Sequence, residues 1–217
     1  MNRLVFVVEG DCELSFVNQK IIPFLYRYLP DGKQFSMNAQ KVTTNRKSNK
    51  KGGNVNYEYL KNEIKRISAQ DGPWITTFFD FFRLPNNFPC YSTDSSKIDE
   101  IEKSLFLEMK YEKFIPYIQK HEFEALMFAD CAGFYNIDLG EKQFKAIFKI
   151  SEQYPNVEDI NGGQSTAPSK RLERIFNYHK VFHSHLVLDD VYLEAIMARS
   201  PRFKSWILSL ANIVSSI

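Results

Sequence analysis

Three expected strand ends in this chain present acids. In RLVFVVEGDCE, residues 3–13, the run Leu4–Val8 stops at Glu9 and is followed by Gly10, Asp11 and Glu13. Trp74–Phe79 runs into Asp80, and Phe114–Gln119 leads to His121, Glu122, Phe123 and Glu124. A carboxylate emerging from a core strand is costly unless it is paired, protonated or on a metal. Hard cations such as Mg²⁺ or Mn²⁺ want oxygen ligands, and Mg²⁺ keeps several waters beside one or two carboxylates. Such a site polarises a phosphodiester and helps make a hydroxide nucleophile. The competing account is that strand-tip acids cap the next helix or bind nearby amides. It applies most directly to Asp11 and Glu13, which suit the positive end of a helix starting there.

Residues two apart on a helix do not share a face. If Glu122 points at the metal rim, Glu124 points well away; Glu122 borders the apolar stripe of Phe123, Leu126 and Met127 through its i, i+4 relation to Leu126 and is the preferred inner acid. His121 reads as structural. Asn45–Gly53, NRKSNKKGG, crowds Arg46, Lys47, Lys50 and Lys51 into one polar loop, either a phosphate-binding patch or a solvated surface. Tyr57 and Tyr59, just beyond it, either stack on bases or pack inward. Lys170 and Arg171 follow Thr166-Ala167-Pro168-Ser169, a helix start with proline in its first turn. Cations there oppose the helix dipole but make a good phosphate site; the alternative is pairing with Glu173 or Glu158. His183 and His185, two apart and without matching cysteines, read as loop and surface residues.

An acid at the carboxyl end of a buried strand lies where open α/β sheets place ligands. The elements must therefore supply parallel strands. A helix is expected from Asp11 or Cys12 to about Arg27, kinked or split by Pro23. A second strand falls within Gln34–Thr44, a helix at about Tyr57–Ala69, and a helix capped by Ser95 or Ser96 at Lys97–Met109. Strands alternating with helices argue a mostly parallel sheet of about four strands with helices on both faces. From Ala132 onward the pattern turns helical, near 141–153, 168–179, 191–198 and 202–213. The expected division is an α/β domain over 1–130 and a helical portion over 131–217, packed on the same core.

With 28 Lys and Arg against 26 Asp and Glu, the net charge is +2, so any nucleic-acid affinity must come from a local patch. Cys12, Cys90 and Cys131 make neither a disulfide framework nor a CxxC zinc site, which points to a reducing cytoplasm. No apolar stretch approaches the roughly 18 residues a membrane span needs, and Leu4–Val8 is too short for a signal-peptide core. Paired glycines at 52–53 and 162–163 do not make a phosphate loop.

The ordered set VEGDCE, TTFFDFFRLP, IPYIQKHEFEALMFAD and EDINGGQSTAPSKRL resembles a bacterial TOPRIM-like family long described as a domain of unknown function. Its genes are often found beside ABC-type ATPases, in arrangements similar to those of OLD-type nucleases and phage-defence systems. The resemblance covers nearly the whole chain. It implies a Mg²⁺- or Mn²⁺-dependent nuclease acting on DNA or tRNA with an ATPase partner, and leaves a homodimer open. It matches Glu9 to the first acid, Asp80 to the later one, and Lys170, by motif order, to an additional lysine. The usual Asp-x-Asp pair is here Asp80-Phe81-Phe82, so Glu122 or Glu124 replaces the second acid, or one metal site is weak or absent.

The rival class is a non-catalytic sensor or adaptor that binds nucleic acid or the ATPase; nucleotidyl transfer is a weaker third reading. If Arg46, Lys47, Lys50 and Lys51 each engage a phosphate, log K against log salt should fall with a slope of about −3.6 on duplex DNA, or about −2.8 on a single strand. Neutralising all four should flatten that slope in a fluorescence-anisotropy titration.

Overall fold

The computed structural model describes residues 3–45, 50–52, 55–160, 163 and 165–217. Arg46 and Lys47 lie outside the described residues. The chain divides into two compact units, Met1–Gln119 with Leu210–Ile217, and Lys120–Ser209. The division thus falls about ten residues before the expected boundary at 130, and the last eight residues group with the first unit.

In chain order the first unit contains β1 (Arg3–Val8), α1 (Asp11–Phe16), a π-helical turn (Val17–Ile21), α2 (Ile22–Tyr26), β2 (Ser36–Lys41), β3 (Thr43–Asn45), β4 (Lys50–Lys51), α3 (Tyr57–Ser68), β5 (Trp74–Asp80), α4 (Ile98–Met109), β6 (Phe114–Ile115) and β7 (Ile118–Gln119). The main sheet has the order β2-β1-β5-β6, with β7 also on β5, and every pairing in it is parallel. Five strands rather than four arise because Pro116 interrupts the expected Phe114–Gln119 strand. Proline has no N–H to give the ladder. Thr76 and Thr77 patch the break: Thr76 Oγ1 donates to Ile115 O (2.7 Å), and Thr77 Oγ1 accepts the Tyr117 N–H (2.8 Å).

The apolar runs form strands because both sheet faces are covered. Val5, Val7, Ile75 and Phe79 pack in one cluster with Leu60 and Ile64 of α3 and Ile101 and Leu105 of α4. Residues of the other parity face α1, where the Phe16 and Phe78 rings lie 6.3 Å apart. The long first helix splits as expected near Pro23, which occupies the first turn of α2. Its ring would clash with the carbonyl four residues back, and the wider π turn absorbs the misfit. The expected Ser95/Ser96 cap is instead Asp94, whose Oδ1 accepts the Ser96 N–H at 2.9 Å ahead of a 3₁₀ turn, Ser95–Lys97.

The second unit is helical: 3₁₀ stretches at Phe123–Ala129, Cys131–Asn136 and Val157–Asp159, then α5 (Glu141–Gln153), α6 (Pro168–Ile175), α7 (Lys180–Asp189), α8 (Leu193–Ala198) and the first part of α9 (Pro201–Ser215). Helix α7 was not expected, and it corrects the surface reading of His183. That side chain is buried, with its Nδ1 accepting the His179 N–H at 2.7 Å and the Phe176 and Phe182 rings edge-on. Arg199 ties the unit together. Its Nη1 donates to Phe128 O (3.0 Å) and Ala129 O (3.1 Å), and its Nη2 to Tyr154 O (2.8 Å), serving carbonyls that end a 3₁₀ stretch and α5.

Gly133 lies against the backbone of α7: a Cβ there would stand 2.0 Å from Val187 O and 2.9 Å from Val187 C. Backbone cannot yield as a flexible side chain would. Gly133→Ala should therefore lower unfolding free energy by about 3 kcal/mol, the upper end for overpacking, as read by urea denaturation.

Candidate functional site

Strand β1 is central, with β2 on one side and β5 on the other. The chain moves one way from β1 to β2, then returns across β1 to reach β5. Right-handed crossovers then put α1 on one face and α3 and α4 on the other, consistent with the packing above. Strand order therefore reverses between β1 and β5, and ligands of open α/β sheets bind at the carboxyl ends of such a pair. Those ends carry Glu9 and Asp80. Val8 pairs with Phe78, so Glu9 leaves the sheet level with Phe79, one residue before Asp80.

Both acids are half-buried and line one cleft of about 390 Å³. Its apolar wall includes Val55, Phe79, Leu84 and Phe88. Its remaining polar lining is Asn56 and Arg83. Asn56 caps α3, its side chain accepting the Tyr59 N–H at 2.9 Å. Asn87 Oδ1 accepts the neighbouring Tyr57 N–H at 3.3 Å, so the first turn of α3 carries two side-chain caps. Two carboxylates on adjacent strand tips are a hard oxygen donor set that fits Mg²⁺ or Mn²⁺ completed by water. Within this unit, among the described residues, no third Asp, Glu, His or Cys joins them as a preformed metal cage.

The neighbouring residues secure the rim. A Cβ on Gly52, whose φ is +75°, would stand 2.7 Å from Glu9 O, so the chain after β4 approaches the backbone of Glu9 as only glycine permits. Lys41, at the end of β2, pairs with Asp11 at 2.7 Å. Asp11 and Glu13 do occupy the first turn of α1, as the helix-start account expects. Glu13 is buried rather than solvated, its Oε2 lying close over Gly10.

Glu122, Glu124 and Lys170 belong to the second unit, where each has protein partners. Glu122 accepts two bonds from the start of α6, from Ser169 N–H (2.9 Å) and Ser169 Oγ (3.1 Å). The helix start expected to hold a substrate phosphate thus already holds an internal carboxylate, which suits its dipole equally well. Glu124 diverges from Glu122 as anticipated, but into the interior. It is 1% exposed, accepts a 3.3 Å bond from Tyr178 Oη, and has Lys180 Nζ 3.5 Å away. Lys170 reaches both Glu173 oxygens, at 2.6 and 2.8 Å. Arg171 donates to Thr166 O (2.8 Å) and to Tyr154 Oη (3.2 Å), not to Glu158. Glu158 instead caps α9 through the Arg202 and Phe203 N–H groups at 2.8 and 3.1 Å.

The family described as Domain of unknown function (DUF4276) matches residues 8–211. The chain belongs to it. No curated protein and no solved structure matches the chain. The DUF4276 match encloses Glu9, Asp80, Glu122, Glu124 and Lys170 alike, and its description assigns none of them a role.

Sequence reading missed Lys41, Arg83, Asn56 and Arg199. The only sequence sign of Arg83 was its place in FFRLP, a segment ending in proline directly after a strand-tip acid; its positive φ and its ring contact are not legible there. Lys50 and Lys51 form β4, paired antiparallel to β3. Among the described residues no helix is long and apolar enough to cross a membrane.

His121 has φ +64°, and burial pushes its pKa down to about 4, with Lys120 adding to the shift. An unfolded imidazole takes up its proton near pH 6.5, whereas the folded one waits until about pH 4. Acidification through that window favours the unfolded state. The denaturation midpoint should fall between pH 7 and pH 4.5, and His121→Asn, which tolerates a positive φ, should remove part of that fall.

Proposed function

We propose that this chain is a metal-dependent nuclease whose site is the cleft between the tips of β1 and β5. The observation that carries the reading is the convergence of Glu9 and Asp80 on one cleft at the point where strand order reverses. In this reading the two carboxylates hold one Mg²⁺ or Mn²⁺. When bound, the metal supplies polarisation of a phosphoryl oxygen and a more acidic water. Glu9 and Asp80 orient that centre. The apolar wall of Val55, Leu84 and Phe88 limits water around the reacting phosphate, strengthening electrostatic interactions there. No tyrosine is assigned as a covalent nucleophile, so water is the attacker. Lys170 enters from motif order alone and would have to leave Glu173 to steady developing charge. The resemblance supports a cytoplasmic defence role on DNA or tRNA, gated by an ABC-type ATPase, with the chain acting alone or as a homodimer.

A second reading has its own support. Phe82 stands where a second acid was expected, and Glu122 and Glu124 are occupied by protein groups within their unit. This favours an adaptor that binds nucleic acid or the ATPase without cutting.

The test is cleavage of single- and double-stranded DNA and of tRNA, with Mg²⁺ or Mn²⁺, with and without the neighbouring ATPase. Glu9→Gln and Asp80→Asn should each cut at least about 100-fold more slowly than wild type while keeping its melting temperature; effects of this size follow loss of a group that stabilises transition-state charge. Variants that cut as well as wild type would exclude the site, and binding without cleavage in every condition would favour the adaptor.

A further inference from the structure

Arg83 lines the same cleft as Glu9 and Asp80, three residues beyond Asp80. It occupies the third position of a turn closed by the Leu84 N–H donating to Phe81 O at 3.0 Å, and its φ is +67°. Turns with a positive φ at that position favour glycine or asparagine. An arginine there carries strain, and such strain persists where the surroundings over-determine it, often at ligand sites. The guanidinium lies over the Phe82 ring, 5.3 Å from its centroid. A ring face holds the cation without consuming its N–H donors, which stay available for a planar anion. Among the described residues Arg83 forms no ion pair, although two carboxylates share its cleft.

Charge arithmetic gives this placement a meaning. Two carboxylates neutralise one divalent ion, and a phosphodiester then brings one uncompensated negative charge. Two-metal sites meet that charge with a second ion. Here the position expected to supply the second acid is Phe82, which holds a cation over its ring. We propose that Arg83 is the phosphate-binding residue of the cleft, supplying by bidentate hydrogen bonds the positive charge a second metal ion would otherwise bring. The proposal rests on the phosphodiester reading of the cleft, and it makes the site a one-metal, one-arginine centre.

The test separates the two readings. Wild type, Arg83→Gly, Arg83→Gln and Arg83→Lys are titrated with Mn²⁺ alone, then with thymidine 5′-monophosphate in the presence and absence of Mn²⁺, by calorimetry. Glycine suits the turn's positive φ, so Arg83→Gly should keep or raise the melting temperature and rule out misfolding. The expected result is one Mn²⁺ per chain with unchanged affinity in all four proteins. Nucleotide affinity should fall about 10- to 100-fold in Arg83→Gly and Arg83→Gln, the range for charge-assisted hydrogen bonds, with partial recovery in Arg83→Lys. Nucleotide binding by Arg83→Gly as tight as wild type would overturn the proposal. If wild type binds no Mn²⁺, the metal reading fails. Arg83 is then judged on nucleotide alone, its loss in Arg83→Gly upholding the role and its retention ending it.

Discussion

Most of what can happen in the first unit depends on one topological constraint, the reversal of strand order between β1 and β5. A parallel sheet covered on both faces has its backbone groups satisfied by neighbouring strands and its side chains in a dry interior. Charge is excluded along the strands and admitted at their tips. The reversal parts the helices at one pair of tips, and that pair carries Glu9 and Asp80. Gly52 and the Lys41–Asp11 pair border the Glu9 side, whereas Asn56 and Arg83 contribute to the cleft itself. The cleft is thus a consequence of handed crossovers rather than of any single motif.

The second unit uses its charges differently. Glu122 and Glu158 each accept two bonds at a helix start, and Arg199 serves carbonyls at the ends of two elements. Leaving such termini buried and unserved would cost far more than each bond adds. These residues also look like chemistry when seen as text, because capping and catalysis both call for a carboxylate beside N–H groups.

That ambiguity marks how far the chain could be read. Strands β1 and β5 were legible because short runs of apolar and β-branched residues ending in an acid have few other solutions. Helices α3 and α5 were legible from periodicity. Helix α7 was not: Val181 and Phe182 are exposed while His183 and Ser184 are buried, which inverts the usual pattern. Glu124 defeated the helical-face argument because its 3₁₀ stretch is buried on every side, so no face is left for solvent. Arg83 was passed over because an arginine in a turn ordinarily means surface; its meaning comes from a backbone angle and a ring, neither of which a sequence prints.

The proline that splits the last strand has an effect of a different kind. Strands β6 and β7 border β5 at the end of the sheet, where the outer row of N–H and C=O groups of a strand has no further strand to pair with among the described residues. Pro116 breaks that row into two pieces of two residues each. The second piece is closed off by the protein itself: Ile118 and Gln119 are buried and Glu102 of α4 accepts the Ile118 N–H at 2.7 Å, while the threonine hydroxyls of β5 span the break. A residue that looks like a defect in the ladder thereby shortens the edge of the sheet and leaves little of it for another strand to extend.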